Sequence, residues 1–368
     1  MAAAFYNNRE SRSRAGRARD TLRHLYKLME MVRMDLLNSA GLPIRLWLRS
    51  WRRGFYRSSF RILGLDGKTS TKDYMSDIQG LRTLRIDPLF RDMVDNKAVF
   101  HALMLHKKCP VPELHGIIRH GRFFSFASGE SGPADEIPSR LLPPGGRLVV
   151  KPLEGHSGAG FLCLSREERG VSVNGSRPDP VCLERLLTGL DRQIVTGFVS
   201  QGRYGAALFP KTTNTVRILT LIDPDTHEPF IARAVQRIGN ARSFPVDSFS
   251  RRNSGLCALV DIASGRLGPA AMIESRWQVA WHDRHPETGA AVSGVVVPNW
   301  PEICRRILHC ARRFAYFPCL AWDIVITEPG FTIIEGNSAT GILFLQVHGP
   351  LLADSRVRRF YTYHRIVR

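Results

Sequence analysis

Residues 321–337 read Ala321-Trp322-Asp323-Ile324-Val325-Ile326-Thr327-Glu328-Pro329-Gly330-Phe331-Thr332-Ile333-Ile334-Glu335-Gly336-Asn337. Two apolar, β-branched runs flank Glu328-Pro329-Gly330, the composition of two strands around a tight turn. A hairpin symmetric about Pro329 places Asp323 directly opposite Glu335, and the period of two along a strand puts Asn337 on the Glu335 face. Directly opposed side chains lie about 5 Å apart, where like charges destabilise a sheet. Two carboxylates and an amide oxygen on one face of an apolar hairpin therefore ask for a cation. A donor set made only of oxygen selects Mg²⁺ over zinc. The plainer alternative is a solvated sheet face carrying ordinary acids.

The chain around this hairpin has 368 residues, 43% hydrophobic and 23% charged, enough for two or three domains with sizeable cores. Its formal net charge of +19 points to a polyanionic partner: nucleic acid, an anionic membrane surface or a phosphorylated substrate. Seven cysteines without a Cys-x-x-Cys pair argue against a disulfide frame or a zinc site and read as reduced, buried thiols. No apolar run approaches the roughly 18 residues of a membrane span, and the first residues lack a signal-peptide core. The expected location is the cytoplasm, with a peripheral position on the inner face of the membrane as a variant.

Residues 1–60 carry thirteen Lys or Arg against four Asp or Glu. Leu22, Leu25, Met29, Val32 and Leu36 recur at helical spacing, and Gly41-Leu42-Pro43 breaks the pattern. A second basic helix follows, with Ile44, Leu48, Trp51 and Phe55 on one stripe. An ordinary helical pair packed on the domain behind it accounts for that stripe. Arginines beside Trp and Phe also suit a membrane-surface helix, so residues 9–57 are a candidate for peripheral contact with an anionic membrane. Nucleic acid is the disfavoured partner.

Downstream, Asn96-Lys97 opens a helix to His106, a strand follows near 114–118, and the Gly/Pro/Ser-rich stretch 128–146 reads as a loop. Residues 147–164 read as strand, Gly-rich loop and strand, with Lys151 before Gly155-His156-Ser157-Gly158-Ala159-Gly160. Clustered glycines let backbone N–H groups close on phosphates beside a lysine. This is not a Walker A loop, and Gly-rich turns between strands are common. Strands are expected at 193–199, 211–222, 230–238 and 256–262, and a helix at 301–315 with Pro301 in its first turn. Arg217 lies inside a β-branched strand, where an arginine buried unpaired is costly; the plainer alternative, from alternation with Val216 and Ile218, is a solvent-facing side chain.

Lys97, the Lys151–Gly160 loop, Asn214-Thr215-Val216-Arg217-Ile218, His285-Pro286-Glu287-Thr288-Gly289, Asp323 and Glu335-Gly336-Asn337 follow one another in an order that resembles the sugar-transfer-associated ATP-grasp family, related to α-L-glutamate ligase-like proteins. The resemblance covers roughly residues 90–355. It implies an α+β, ATP-grasp fold, two lobes sandwiching ATP, here preceded by the basic helical extension 1–60. The expected divisions are 61–145 for the N-terminal and linker part of the core, 146–205 for a lid lobe and 206–368 for a C-terminal lobe with the metal site. By resemblance, Lys97 and Lys151 contact the nucleotide phosphates under a lid carrying Gly155, His156, Ser157, Gly158 and Gly160. The strand at 193–199, with Ile194, Val195 and Phe198, would serve adenine. Asp323, Glu335 and Asn337 would hold Mg²⁺, and Arg217 would act with Lys151 on the transferred phosphoryl group.

Two departures stand out. Gly197 replaces the Glu or Gln expected in the adenine strand, leaving Glu184 or Gln201 as substitutes, and the 243–255 loop lacks the expected Asp-Asn and Gly-Gly pairs. The implied activity is ATP-dependent joining of a carboxylate substrate to an amine acceptor through an acyl phosphate, in surface-polysaccharide or secondary-metabolite biosynthesis. A kinase acting on a hydroxyl and a non-catalytic basic membrane- or nucleic-acid-binding protein are the alternatives. Arg217, Arg233 and Arg237 are candidates to anchor the carboxylate.

Overall fold

β-branched runs punctuated by Gly, Pro and Asn build the antiparallel strands around which the helices pack. The computed structural model describes residues 41–367 apart from 69, 156, 157, 251, 252 and 329, together with Met29, Arg33 and Asp35. Apart from those three residues, the helix expected at 20–40 lies outside the described residues, as do His156 and Ser157.

Among the described residues fourteen strands form two seven-stranded sheets. The first holds β1 (Leu114–Arg119), β2 (Arg122–Ser125), β3 (Ser131–Pro133), β4 (Arg147–Pro152), β5 (Leu162–Glu167), β6 (Gly170–Val173) and β7 (Gln193–Gly197), in the order β3-β2-β1-β7-β4-β5-β6. Residues 128–146 are not a simple loop. Ser131 pairs with Phe124, and Pro138 stands in the first turn of a helix at Ile137–Leu141. Pairing of β1 with β7 also joins strands on both sides of residue 146 into one sheet, so 146–205 alone is not a complete lobe.

The second sheet holds β8 (Thr215–Ile222), β9 (Pro229–Ile238), β10 (Leu256–Val260), β11 (Leu267–Ile273), β12 (Val279–His282), β13 (Cys319–Ile326) and β14 (Phe331–Asn337), in the order β12-β11-β10-β9-β8-β13-β14. Every residue of β13 is buried because both faces of the sheet are covered. Leu320, Trp322 and Ile324 pack with the helices Lys97–His106 and Trp300–Arg313, while Cys319 and Ala321 pack with Val357, Phe360 and Tyr361 of the helix Ser355–Tyr363. The helix Trp300–Arg313 buries Trp300, Ile303, Ile307 and Cys310 at spacings of three and four, with Pro301 in its first turn.

The apolar stripe expected to include Phe55 does not. The helix Ile44–Arg52 ends before it, and Phe55 turns inward against Phe60, Leu63, Tyr74 and Ile273. The cysteines are free; four are buried, Cys163 and Cys304 are half-buried and Cys182 is exposed, so burial of the whole set does not hold.

Two histidines beside the C-terminal packing carry a pH dependence. Burial pushes His348 and His364 down to about 4. The unfolded chain takes up these protons below about 6.5 while the fold resists until about 4, so stability falls as pH drops through that window. His364 lies 4.5 Å from the Phe360 ring centroid. His364→Phe keeps an apolar ring there and is expected to show a smaller drop in Tm than wild type between pH 6.5 and 4. Parallel pH profiles would exclude His364 as a source.

Candidate active site

The site begins in the middle of β13. Asp323 lies on the face that buries Ala321, but its carboxylate reaches a cleft of about 350 Å³ between the two sheets. Register brings its partners in: Asp323 pairs with Arg217 on β8 and with Glu335 on β14. The Arg217 Nε donates to Asp323 Oδ1 at 2.5 Å and its Nη2 to Oδ2, a bidentate pair. Arg237 Nη1 donates to the same Oδ2 at 3.1 Å, and Asn337 Nδ2 at 3.4 Å. Arg237 also pairs with Asp247, whose Oδ2 accepts from the Thr215 N–H at 2.7 Å and hydroxyl at 2.6 Å. Burial raises the Asp323 carboxyl, but the Arg217 and Arg237 guanidiniums outweigh it and hold the group below the usual carboxylate range. For Arg237, burial acts against the charge, and Asp247, Asp323 and Glu335 reverse that. Arg217, only 8% exposed, is therefore not the solvent-facing side chain that alternation suggests; a carboxylate on the next strand compensates its burial.

The hairpin register is not uniform. Asp323 faces Glu335, but Ile324 faces Ile333, leaving Ile334 as an extra residue without an opposite partner. A bulge frees such a residue from the ladder. The Ile334 carbonyl accepts from Lys151 Nζ at 3.0 Å, so the first sheet reaches the second through β4. Burial, only partly offset by Glu335, pushes Lys151 down to about 8.

Lys97 arrives by a different route. Asn96 caps the helix Lys97–His106 by accepting from the Ala98 and Val99 N–H groups. The helix can approach β14 because residue 336 is glycine: a Cβ there would stand 2.4 Å from the Phe100 ring. Lys97 Nζ then lies 3.2 Å from Glu335 Oε1 and donates to the Gly155 carbonyl at 3.2 Å. His101, one turn further on and fully buried, is pushed down to about 3 by burial and then by Lys151, so it is neutral near pH 7.

The family model described as "Sugar-transfer associated ATP-grasp" matches residues 87–359, the span that holds both sheets and the cleft residues Lys97, Lys151, Arg217, Asp323 and Glu335. The chain belongs to the sugar-transfer-associated ATP-grasp family. The α+β fold with a helical N-terminal part is that of an ATP-grasp protein. No curated protein matches the chain. Among solved structures, a D-cycloserine synthetase is 12% identical with a TM-score of 0.38, over 75% of this chain and 72% of that one. D-alanine–D-alanine ligases from Bacillus anthracis and Helicobacter pylori are 11% and 8% identical, with TM-scores of 0.36 and 0.39, over 74% and 73% of this chain and 69% and 61% of theirs.

Within this ATP-grasp cleft the expected residues fall into two groups. Lys97, Lys151, Gly155, Gly158, Phe198, Arg217, Asp323, Glu335 and Asn337 line it. Ile194 and Val195 do not; they sit mid-strand, paired on both sides to β1 and β4, and the lining starts at Thr196. Gly160 is not in the lining either, though its φ of +74° shapes the loop. Gln201 is committed elsewhere, donating to the Phe209 and Thr212 carbonyls and accepting from Asn214. Glu184 lies on the helix Pro180–Thr188 away from the cleft. Arg233 donates to the Pro350 carbonyl outside the lining, which leaves Arg217 and Arg237 of the three strand arginines. His285 stacks on Phe209 and bonds the Gly239 carbonyl, a structural post for the end of β9.

Sequence reading missed Asp247 and Phe344. Phe344 lies 5.0 Å below the Arg217 guanidinium, and neither residue has a local motif. The donor types at Asp323, Glu335 and Asn337 fit Mg²⁺, being oxygens alone, and among the described residues no cluster of three His, Cys, Asp or Glu offers a different metal chemistry. Glu335 is shared with one lysine, whereas both Asp323 oxygens already accept from arginine.

Removing the buried anion leaves two guanidiniums without their partner. Asp323→Ala is expected to cost about 3–5 kcal/mol in urea unfolding. Glu302→Ala, which breaks an exposed pair with Arg305, is expected to cost at most about 1 kcal/mol. Equal losses would show that the buried network does not hold the sheet.

Proposed function

We propose that this protein is an ATP-dependent, ADP-forming carboxylate–amine ligase. The single observation that supports it most is the meeting of two cationic side chains from opposite routes, Lys97 and Lys151, with Glu335 and the bulged Ile334 carbonyl, at the mouth of a buried Arg217–Asp323–Arg237 cluster. Phosphoryl transfer needs positioned positive charge and excluded water more than a protein nucleophile. The cleft supplies the positioned charge, and among the described residues its lining holds no serine–histidine or cysteine–histidine pair.

In this proposal Lys97 and Lys151 lie along the triphosphate, and the loop with Gly155 and Gly158 closes over it. Asp323, Glu335 and Asn337 would hold Mg²⁺, which when bound neutralises phosphate charge. Arg217, fixed by Asp323 and seated on Phe344, keeps a planar donor toward the reacting centre. Arg237, fixed by Asp247, stands beside it as an anchor for the substrate carboxylate. A carboxylate oxygen takes the γ-phosphoryl group as ADP leaves; the amine nitrogen then attacks the acyl carbon and inorganic phosphate departs. Neutral His101 keeps the lysine pair from facing a third cation. The family's association with sugar transfer supports a setting in surface-polysaccharide or secondary-metabolite assembly.

The test is ADP release across a panel of amino acids and uronic acids with hydroxylamine present. A hydroxamate product is expected; ADP release with a stable phosphoester and no hydroxamate would make the enzyme a hydroxyl kinase instead. Glu335→Ala is expected to lower turnover by at least about 100-fold with the fold retained. Lys151→Ala is expected to raise the KM for ATP by roughly 10- to 100-fold, as for loss of a charge-assisted hydrogen bond. Turnover near wild type in the first variant, or an unchanged KM in the second, would remove these residues from the site.

A further inference from the structure

Outside the cleft lining, the helix Ile44–Arg52 turns Ile44, Leu48 and Trp51 to solvent, 65%, 49% and 37% exposed and spaced four and three residues apart. Three large apolar side chains on one helical stripe form a patch, unlike the singly scattered apolar residues of ordinary surfaces. The helix is tied to the chain around it. Ser50 is buried, and Asp35 accepts from Trp51 Nε1 at 2.7 Å and from the Arg57 N–H at 2.8 Å. Arg45, Arg52 and Arg53 are exposed around the stripe. Residues 36–65 hold six arginines and no Asp or Glu.

We propose that this helix docks the protein on an anionic membrane surface. Ile44, Leu48 and Trp51 enter the headgroup–acyl boundary, and the flanking arginines meet lipid phosphates. Charge selects this occupant. Residues 1–28 carry seven Lys or Arg against two acids, so folding them over the stripe would set cations against cations, as would a second copy of the same face. Nucleic acid would satisfy the arginines but leave the two aliphatic side chains in water. A lipid interface satisfies both at once. No helix among the described residues is long and apolar enough to cross a membrane, so the contact is peripheral. The proposal goes beyond the ligase reading and does not depend on it.

Full-length protein is sedimented with vesicles of phosphatidylcholine, with and without phosphatidylglycerol. Binding is expected only to the anionic vesicles and is expected to weaken with added salt through screening. Leu48→Glu/Trp51→Glu is expected to abolish it. Arg45→Glu/Arg52→Glu, at exposed positions, is expected to lower the partition coefficient by at least roughly tenfold. Circular dichroism and Tm check that each variant is folded, and the arginine variant carries the test if the apolar one is not. Equal binding to both vesicle types, binding to neither, or wild-type partitioning of the folded arginine variant would overturn the proposal. So would retention on single-stranded nucleic acid without vesicle binding, or a concentration-dependent dimer that the apolar variant dissolves.

Discussion

A buried carboxylate, Asp323, constrains the rest of this structure. Its charge lies on β13, the strand next to the edge of a sheet covered on both faces, where an unpaired anion is strongly disfavoured. The compensation comes from neighbouring strands rather than from neighbours in sequence: Arg217 across one ladder, Arg237 one strand further, Asn337 across the other. Arg237 in turn requires Asp247, and Asp247 ties down the start of β8 through Thr215. The network alternates sign along its length. It places two fixed guanidiniums beside the cleft at the cost of making Asp323 structural as well as chemical. Buried ion pairs of this kind contribute little net stability, but losing one member is expensive.

The cleft itself depends on two local irregularities. A bulge at Ile334 lets the hairpin keep Asp323 opposite Glu335 while freeing a carbonyl for Lys151 of the other sheet. Gly336 lets Phe100 pack against β14 and so delivers Lys97 to Glu335. In a regular hairpin with a side chain at 336, the acids would remain but neither lysine would meet them in this way. The contacts of Lys151 and Lys97 involve two carbonyls, of Ile334 and Gly155, and one partly exposed acid, Glu335, interactions that a polyanionic substrate can replace group for group.

Much of the site was legible because its residues sit in short motifs with fixed periodicity. The Asp323–Glu335 pairing followed from a turn signal and the two-residue repeat, and Asn96-Lys97 read as a capped helix start. Other parts followed rules that sequence alone does not expose. Arg217 looked solvent-facing because alternation says nothing about a second layer covering the polar face. Ile194 and Val195 looked available because a strand read singly does not reveal pairing on both edges. Residues 128–146 looked like loop because Pro138 serves equally as a breaker and as a first-turn residue. Arg233 and Arg237 were indistinguishable on one strand, yet only Arg237 reaches the cleft.

By itself the sequence determined the family, the order of the cationic and acidic motifs, the oxygen-only donor set and the basic character of the first sixty residues. These are properties of residue type and spacing along one chain. Tertiary structure alone decided that Arg217 and Arg237 neutralise Asp323, that Asp247 and Phe344 belong to the cleft, and that Ile44, Leu48 and Trp51 face outward while Phe55 turns in. Each of these depends on which side chain meets which across separate strands or helices. Burial and electrostatic compensation act through space, and local periodicity carries no record of the partner.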